Sequence, residues 1–318
     1  MADRLLEHIR QNACPGLERA SCKNDIYDFA DEISPLAAQN WPLDLSAEGY
    51  KTSYTDISRT VVQAGLYSGI LLKTDITNDR SSYEAITEWQ LLDGRLNVKI
   101  HNLYCRQGGG ENPPFAGIFL SRLRTFLRQQ DKEMRTPAEC RYDPSQIELS
   151  AVSNNEEIST RGSYVWALQG VDFRSDGELA EMRADFQKFA SKNGVALATA
   201  DLKLFKYPFH FAMFDCGVRV KNKHNGSSPL GKAFMLNNIW AGTWPARKNN
   251  PLPEKFAAAY NRLARNPRRR QLLQKFLEAP FLRMQCRYAN KYATLNRRRS
   301  LSVYRRYAAL KLNRLLGF

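Results

Sequence analysis

The chain predicts an α+β fold: a central, mostly antiparallel sheet flanked by helices over about residues 50–245, with a basic helical extension at the C-terminus. Three observations carry this. β-Branched and aromatic residues concentrate in residues 50–105, in runs joined by short polar connections. Asp93-Gly94 stands between two apolar-rich runs, the strongest short-range signal of a hairpin. Beyond Glu254 the apolar residues recur at helical spacing while Lys and Arg accumulate.

The elements follow in order. Residues 1–49 hold a short helix over residues 4–11, then a turn-rich segment through Pro15-Gly16, Pro35 and Trp41-Pro42, and are expected to pack on the main domain. Residues 54–64, 69–74, 84–92 and 95–105 read as an antiparallel meander. The fourth of these runs ends in Gly108-Gly109-Gly110, after which Pro113 and Pro114 stand where a helix can begin. Phe119, Leu123, Phe126 and Leu127 give that helix, to about Gln130, one apolar face.

Residues 146–152 alternate polar and apolar and read as a strand, parallel to the one before the glycine loop because a helix joins them. Asp176–Lys192 is a helix with a capping box at Ser175 and Glu178, an apolar face of Leu179, Met182, Phe186 and Phe189, and a stop at Asn193-Gly194. Residues 196–204 are a further strand candidate, and residues 221–228 an exposed insert. Residues 232–240 fit either helix or strand. Residues 246–260 are a linker and helix start, and the helical pattern of residues 261–318 is broken by Pro267 and Pro280.

The 318 residues, 43% of them hydrophobic, suffice for a packed core without staples. Six cysteines lack any C-x-x-C pair and four histidines are dispersed, so no metal site is expected. With a charged N-terminus and no apolar stretch of membrane-spanning length, a reduced, cytoplasmic location is the simplest expectation. The net charge of +15 is concentrated: residues 261–318 carry 16 Lys and Arg against one acidic residue, Glu278, and the other 260 residues are balanced at 31 of each sign.

Strand, glycine loop and helix in succession direct backbone N–H groups and a helix N-terminus at one place, an arrangement that suits a phosphate or another anion. The competing reading of three glycines is a surface loop. The segment of residues 147–152 followed by Gly162-Ser163-Tyr164-Val165-Trp166-Ala167-Leu168-Gln169-Gly170-Val171-Asp172-Phe173 resembles divergent GNAT acyltransferase-like domains of bacterial and phage proteins. In those a strand is followed by Gly-x-Tyr-x-Trp-x-x-x-Gly-Phe-Asp; Gly162, Tyr164, Trp166, Gly170 and Asp172 hold comparable places and Val171 departs from Phe.

The resemblance covers about residues 83–189 and implies a GNAT-like sheet. In that superfamily the loop after the fourth strand holds the pyrophosphate of acetyl-CoA on backbone amides at the start of the next helix. Carried over, the cofactor-binding candidates are Arg106, Gln107, Gly108, Gly109, Gly110 and Gly117. The pattern differs from the family's in that Glu111-Asn112-Pro113-Pro114 separates the glycines from the helix, and two prolines remove two amide donors. Glu88, on the strand before the Asp-Gly turn, is the candidate base for an acceptor amine, and Tyr164 the candidate acid for the leaving thiolate. Each has a plainer reading, Glu88 as a solvated strand residue and Tyr164 as a core tyrosine with its hydroxyl at the edge.

The expected activity is acyl-CoA-dependent N-acyl transfer by an enzyme whose basic tail targets it to a nucleic acid or other polyanion. Arg268, Arg269, Arg270, Arg297, Arg298, Arg299, Arg305 and Arg306, interleaved with aromatic residues, are the candidate nucleic-acid contacts. An anionic membrane surface is the other partner such a tail would suit. The alternative is a non-enzymatic nucleic-acid-binding or membrane-associated effector protein on a degenerate GNAT-like scaffold.

Overall fold

The computed structural model describes residues 45–62, 67–92, 95–108, 115–134, 146–151, 162–221, 227–246 and 250–292. The helix expected over residues 4–11, the glycines at 109 and 110, and the arginines from 297 onward lie outside the described residues. The fold is α+β. The chain divides into two compact units, residues 1–150 with 243–245, and residues 151–242 with 246–318.

The first unit opens with four long strands, β1 (Lys51–Val62), β2 (Tyr67–Thr77), β3 (Ser82–Leu92) and β4 (Arg95–Gln107). Each pairs antiparallel with the next. Helix α1 (Phe115–Met134) follows, then β5 (Gln146–Ala151), which pairs parallel with β4 as a strand reached through a helical crossover should. Within this unit the strand order is β1-β2-β3-β4-β5; β6 (Asp172–Phe173) and β9 (Trp240–Trp244) come later in the chain.

One sheet face lies under α1. Leu72, Ile76, Tyr83, Ala85, Trp89, Val98 and Ile100 are buried, as are Phe115, Phe119, Leu123 and Leu127 along the helix. The Tyr83 and Phe115 rings stack with centroids 3.9 Å apart, and Trp89 meets Phe126 edge-on at 5.7 Å. Tyr50 completes the cluster at 5.1 Å from Phe115. The other face is polar, carrying Lys73, Asp75, Glu84, Glu88 and Lys99.

The turn from β2 to β3 is closed by Asn78, whose Oδ1 accepts from the backbone N–H of Arg80 at 2.8 Å and of Ser81 at 2.7 Å. Gly108, with φ of 80°, packs against that turn so closely that a Cβ would run into the Arg80 carbonyl.

The second unit is mainly helical: α2 (Gly162–Leu168), α3 (Asp176–Lys192), α4 (Thr199–Leu202), α5 (Pro208–Met213), α6 (Leu230–Leu236), α7 (Leu252–Arg262), α8 (Arg269–Leu273) and α9 (Ala279–Tyr292), with a small ribbon of β7 (Arg219–Lys221) and β8 (Ser227–Pro229). Its core is phenylalanine-rich. The Phe186 ring lies 4.8–5.6 Å from those of Phe205, Phe211, Phe214 and Phe234.

Helix α3 starts on Ser175, whose Oγ accepts from Glu178 N at 3.1 Å. The return bond expected of a capping box goes instead to the N–H of Arg174, at 3.0 Å from Glu178 Oε2. Its end has both bonds of a Schellman motif: Val195 N to Ala190 O at 2.8 Å and Gly194 N to Ser191 O at 3.0 Å, with Gly194 at φ 76°.

The strand expected over residues 196–204 does not form. The N–H groups that a strand would pair are taken by phenol oxygens, Ala196 N by Tyr292 and Ala198 N by Tyr288, each at 2.8 Å, and α4 follows directly. Residues 232–240 divide between the end of α6 and the start of β9. Among the described residues no helix is long and apolar enough to cross a membrane.

His210, fully buried, stacks at 4.7 Å on Phe281 and accepts from Lys206 N on Nδ1 at 3.0 Å. Burial, with the charges of Lys206 and Arg183, pushes its pKa down to about 3. The unfolded chain takes up this proton near the ordinary value of about 6.5, whereas the folded chain refuses it until about 3. Stability is therefore lost as pH falls through that window, at about 1.4 kcal/mol per pH unit for this proton. Denaturant unfolding at a series of pH values should show a shallower acid slope in His210→Asn, which keeps an acceptor for Lys206 N–H; an unchanged slope would assign the acid sensitivity elsewhere. Gly108→Ala should cost about 1–3 kcal/mol in thermal unfolding, from its left-handed backbone and the Arg80 carbonyl. A loss within error would mean that the turn yields without strain.

Candidate functional site

The polar face of the first unit takes its character from two irregularities of the β3–β4 pairing. Leu92↔Arg95 through Thr87↔Ile100 are in strict register, and the next pair is Ile86↔Asn102, so His101 is an extra residue on β4. The second step, between Tyr83↔Cys105 and Ser82↔Gln107, leaves Arg106 as another. A bulge residue is aimed independently of the strand's alternation. Each here reaches a carboxylate of β3.

His101 Nε2 is 2.8 Å from Glu88 Oε2, with side chains 37% and 10% exposed. This places the candidate base Glu88 in a buried carboxylate whose partner imidazole faces solvent. Such a pair can take a proton from an acceptor at the exposed ring, with the buried carboxylate as counter-charge to the imidazolium that forms. Sequence reasoning missed His101. The signal was there: with Leu92 opposite Arg95 the register sets Glu88 opposite Lys99, which makes His101 a diagonal neighbour of Glu88.

Arg106 is paired with Glu84 and lies 3.2 Å from Asp75, while Lys73 lies 3.4 Å from Glu84. Burial acts to raise the Glu84 pKa, but the hydrogen bond and charge of Arg106, aided by Lys73, hold it below the ordinary carboxylate value. The same bond to Glu84 raises the Arg106 pKa. The guanidinium is thus balanced locally by two carboxylates. Gln107 is exposed at the end of β4, Gly108 is fixed on the β2–β3 turn, and Gly117 is buried in the first turn of α1.

The parallel pairing of β4 with β5 runs only from Asn97↔Gln146 to Ile100↔Leu149. Residues 101–107 therefore continue β4 beyond that pairing, with β3 on one side, up to Gly108. A strand edge of this kind presents backbone donors and acceptors to an extended ligand.

The second unit holds Tyr164, on α2. Lys232 Nζ lies 5.2 Å from the centre of its ring. Arg269, close enough to interact electrostatically with Tyr164, stacks on Tyr260 with 3.2 Å from Cζ to the ring centre. Burial lowers the Arg269 pKa and raises that of the Tyr260 phenol. Nε and Nη2 of Arg269 are buried without a hydrogen-bond partner. The neighbouring residues of the motif serve the backbone: Trp166 and Val171 are core, Asp172 Oδ1 accepts from Phe173 N at 2.8 Å, and at Gly170, with φ of 75°, a Cβ would meet the Pro253 carbonyl at 2.5 Å.

Of the candidate nucleic-acid contacts, Arg268 is exposed. Arg270 is drawn inward, donating to Met213 O at 3.2 Å and lying 3.4 Å from Asp215. Phe281, Tyr288 and Tyr292, aromatic residues interleaved with the basic ones of this segment, are buried. Their burial is what fixes α9 to its unit. Compared with family models, curated proteins and solved structures, the chain matches none.

Proposed function

We propose that the chain is an acyl-CoA-dependent N-acyltransferase of GNAT-like build, directed by its C-terminal basic residues to a nucleic acid or other polyanion. The observation that carries this reading is the extension of β4 past its parallel partner, up to Gly108. The amide-bearing arm of acetyl-CoA can pair along that edge, and the backbone N–H groups of Gln107, Gly108, Gly109 and Gly110, which follow one another in the sequence, are the proposed donors to its phosphates. Because Asp75 and Glu84 balance Arg106, most of the anion binding falls on the loop's backbone.

Acetyl-CoA supplies a thioester carbonyl as the acyl donor. The Glu88–His101 pair removes a proton from the acceptor amine, and the amine nitrogen forms the new bond to the carbonyl carbon as the carbon–sulfur bond breaks. The departing thiolate takes up a proton from water. A second reading, a binding protein on a degenerate scaffold, is favoured by the neutralised Arg106 and by Pro113 and Pro114, which lack amide donors.

Calorimetric titration of the full chain with acetyl-CoA separates the two. Binding is expected in the wild type and absent in Gly109→Pro; binding retained in that variant would remove the glycine loop, and no binding in the wild type would favour the second reading. With a panel of primary amines and thiol release as the readout, Glu88→Gln should keep acetyl-CoA affinity and lose about 10²–10⁴ in transfer rate. An undiminished rate would take Glu88 out of the chemistry.

A further inference from the structure

We propose that Arg283, Arg287 and Lys291, the outward row of α9, form a docking surface for the phosphate backbone of duplex nucleic acid. This rests on the polyanion half of the function proposed above and adds the surface and the form of the partner. The three residues are exposed and follow one another at intervals of four. Four residues of α-helix rise about 6 Å, so the row sets three cations along about 12 Å.

The row is held rigidly. Phe281, Met284, Gln285, Tyr288, Ala289 and Tyr292 form the buried face of the same helix. Tyr288 Oη accepts from Ala198 N and donates to Asp201 Oδ2 at 2.7 Å, and Gln285 Oε1 accepts from Asp215 N at 3.2 Å. Arg287 is also ion-paired with Asp201, which orients its guanidinium while leaving the side chain 63% exposed. A row carried on an anchored helix leaves less backbone to be ordered on binding.

What the outward face lacks decides the partner. The exposed residues of α9 are Pro280, Arg283, Arg287, Asn290 and Lys291, without an aromatic or large aliphatic side chain among them. Single-stranded nucleic acid is held by bases stacked on aromatic rings, and membrane docking of a surface helix needs apolar residues to enter the lipid. Neither is offered here. Cations at regular spacing on a rigid helix contact phosphates, and such contacts bind without reading sequence.

The test is fluorescence anisotropy of the full chain with two duplexes of unrelated sequence, over a range of salt. Each phosphate contact adds about 0.9 to the slope of log K against log salt. Arg283→Gln with Lys291→Gln should lower the slope by about 1.8 and weaken both duplexes equally; Arg287 is kept because it partners Asp201. Circular dichroism confirms that the variant is folded. An unchanged slope overturns the role of the row while leaving the polyanion reading to the other basic residues, whereas no duplex binding by the wild type overturns both. Tighter binding to a single strand of equal length, or to vesicles containing phosphatidylserine, overturns the duplex assignment.

Discussion

The register of β3 against β4 decides which side chains of the first unit are core and which stand on the polar face. Before the bulge at His101, the β4 residues facing α1 are Val98 and Ile100; after it they are Leu103 and Cys105, opposite Ala85 and Tyr83. A strand has a side-chain period of two, so one extra residue exchanges its faces. Without that insertion Asn102 and Tyr104 would turn under α1, and Leu103 would turn to the polar face. The bulge keeps the apolar residues under the helix on both sides of it. The second bulge, at Arg106, comes just before β4 runs out into Gly108.

What could be read from the sequence was what is local. A two-residue turn, an Asn-Gly stop and a serine cap each involve neighbours a few positions apart, and the hairpin, the end of α3 and its start were recognisable for that reason. The parallel relation of β4 and β5 followed from the helix between them. Bulges leave no mark in composition, so the pairing of His101 with Glu88 needed the register counted across the turn. Residues 196–204 were misread because the partners of Ala196 and Ala198 lie some ninety residues on, at Tyr292 and Tyr288. Residues 232–240 were ambiguous because a helix ends and a strand begins within them. Of the glycine triplet, Gly108 has a requirement of its own in the Arg80 carbonyl, which a loop reading of glycine does not reveal.

The second unit shows how a basic sequence can conceal a core element. Residues 279–292 contain three cations and no carboxylate, the composition of a solvated tail. Yet Phe281, Met284, Tyr288 and Tyr292 recur at intervals of three or four, and that spacing buries one face of α9 completely. Phenols suit this place. Their rings fill the interior beside Phe214, while their oxygens supply acceptors to a backbone that has no strand to pair with. Charge on the outer face and hydrogen bonding on the inner face are therefore properties of one helix.

The two bulges of β4 use one device for different ends. Both place a basic side chain against a carboxylate of β3, but a guanidinium stays charged throughout the physiological range, whereas an imidazole can gain and lose a proton there. Arg106 with Glu84 and Asp75 is thus a fixed electrostatic tie, and the hydrogen bond to Glu84 strengthens the positive state of the arginine. Glu88 and His101 differ in exposure as well as chemistry, the carboxylate buried and the ring open to solvent. Proton exchange with an acceptor requires a titrating group at the surface and a counter-charge that water does not screen. Of the two bulges, the one at His101 brings an exposed imidazole to a buried carboxylate, and that geometry supports the proposal that the pair serves as the base.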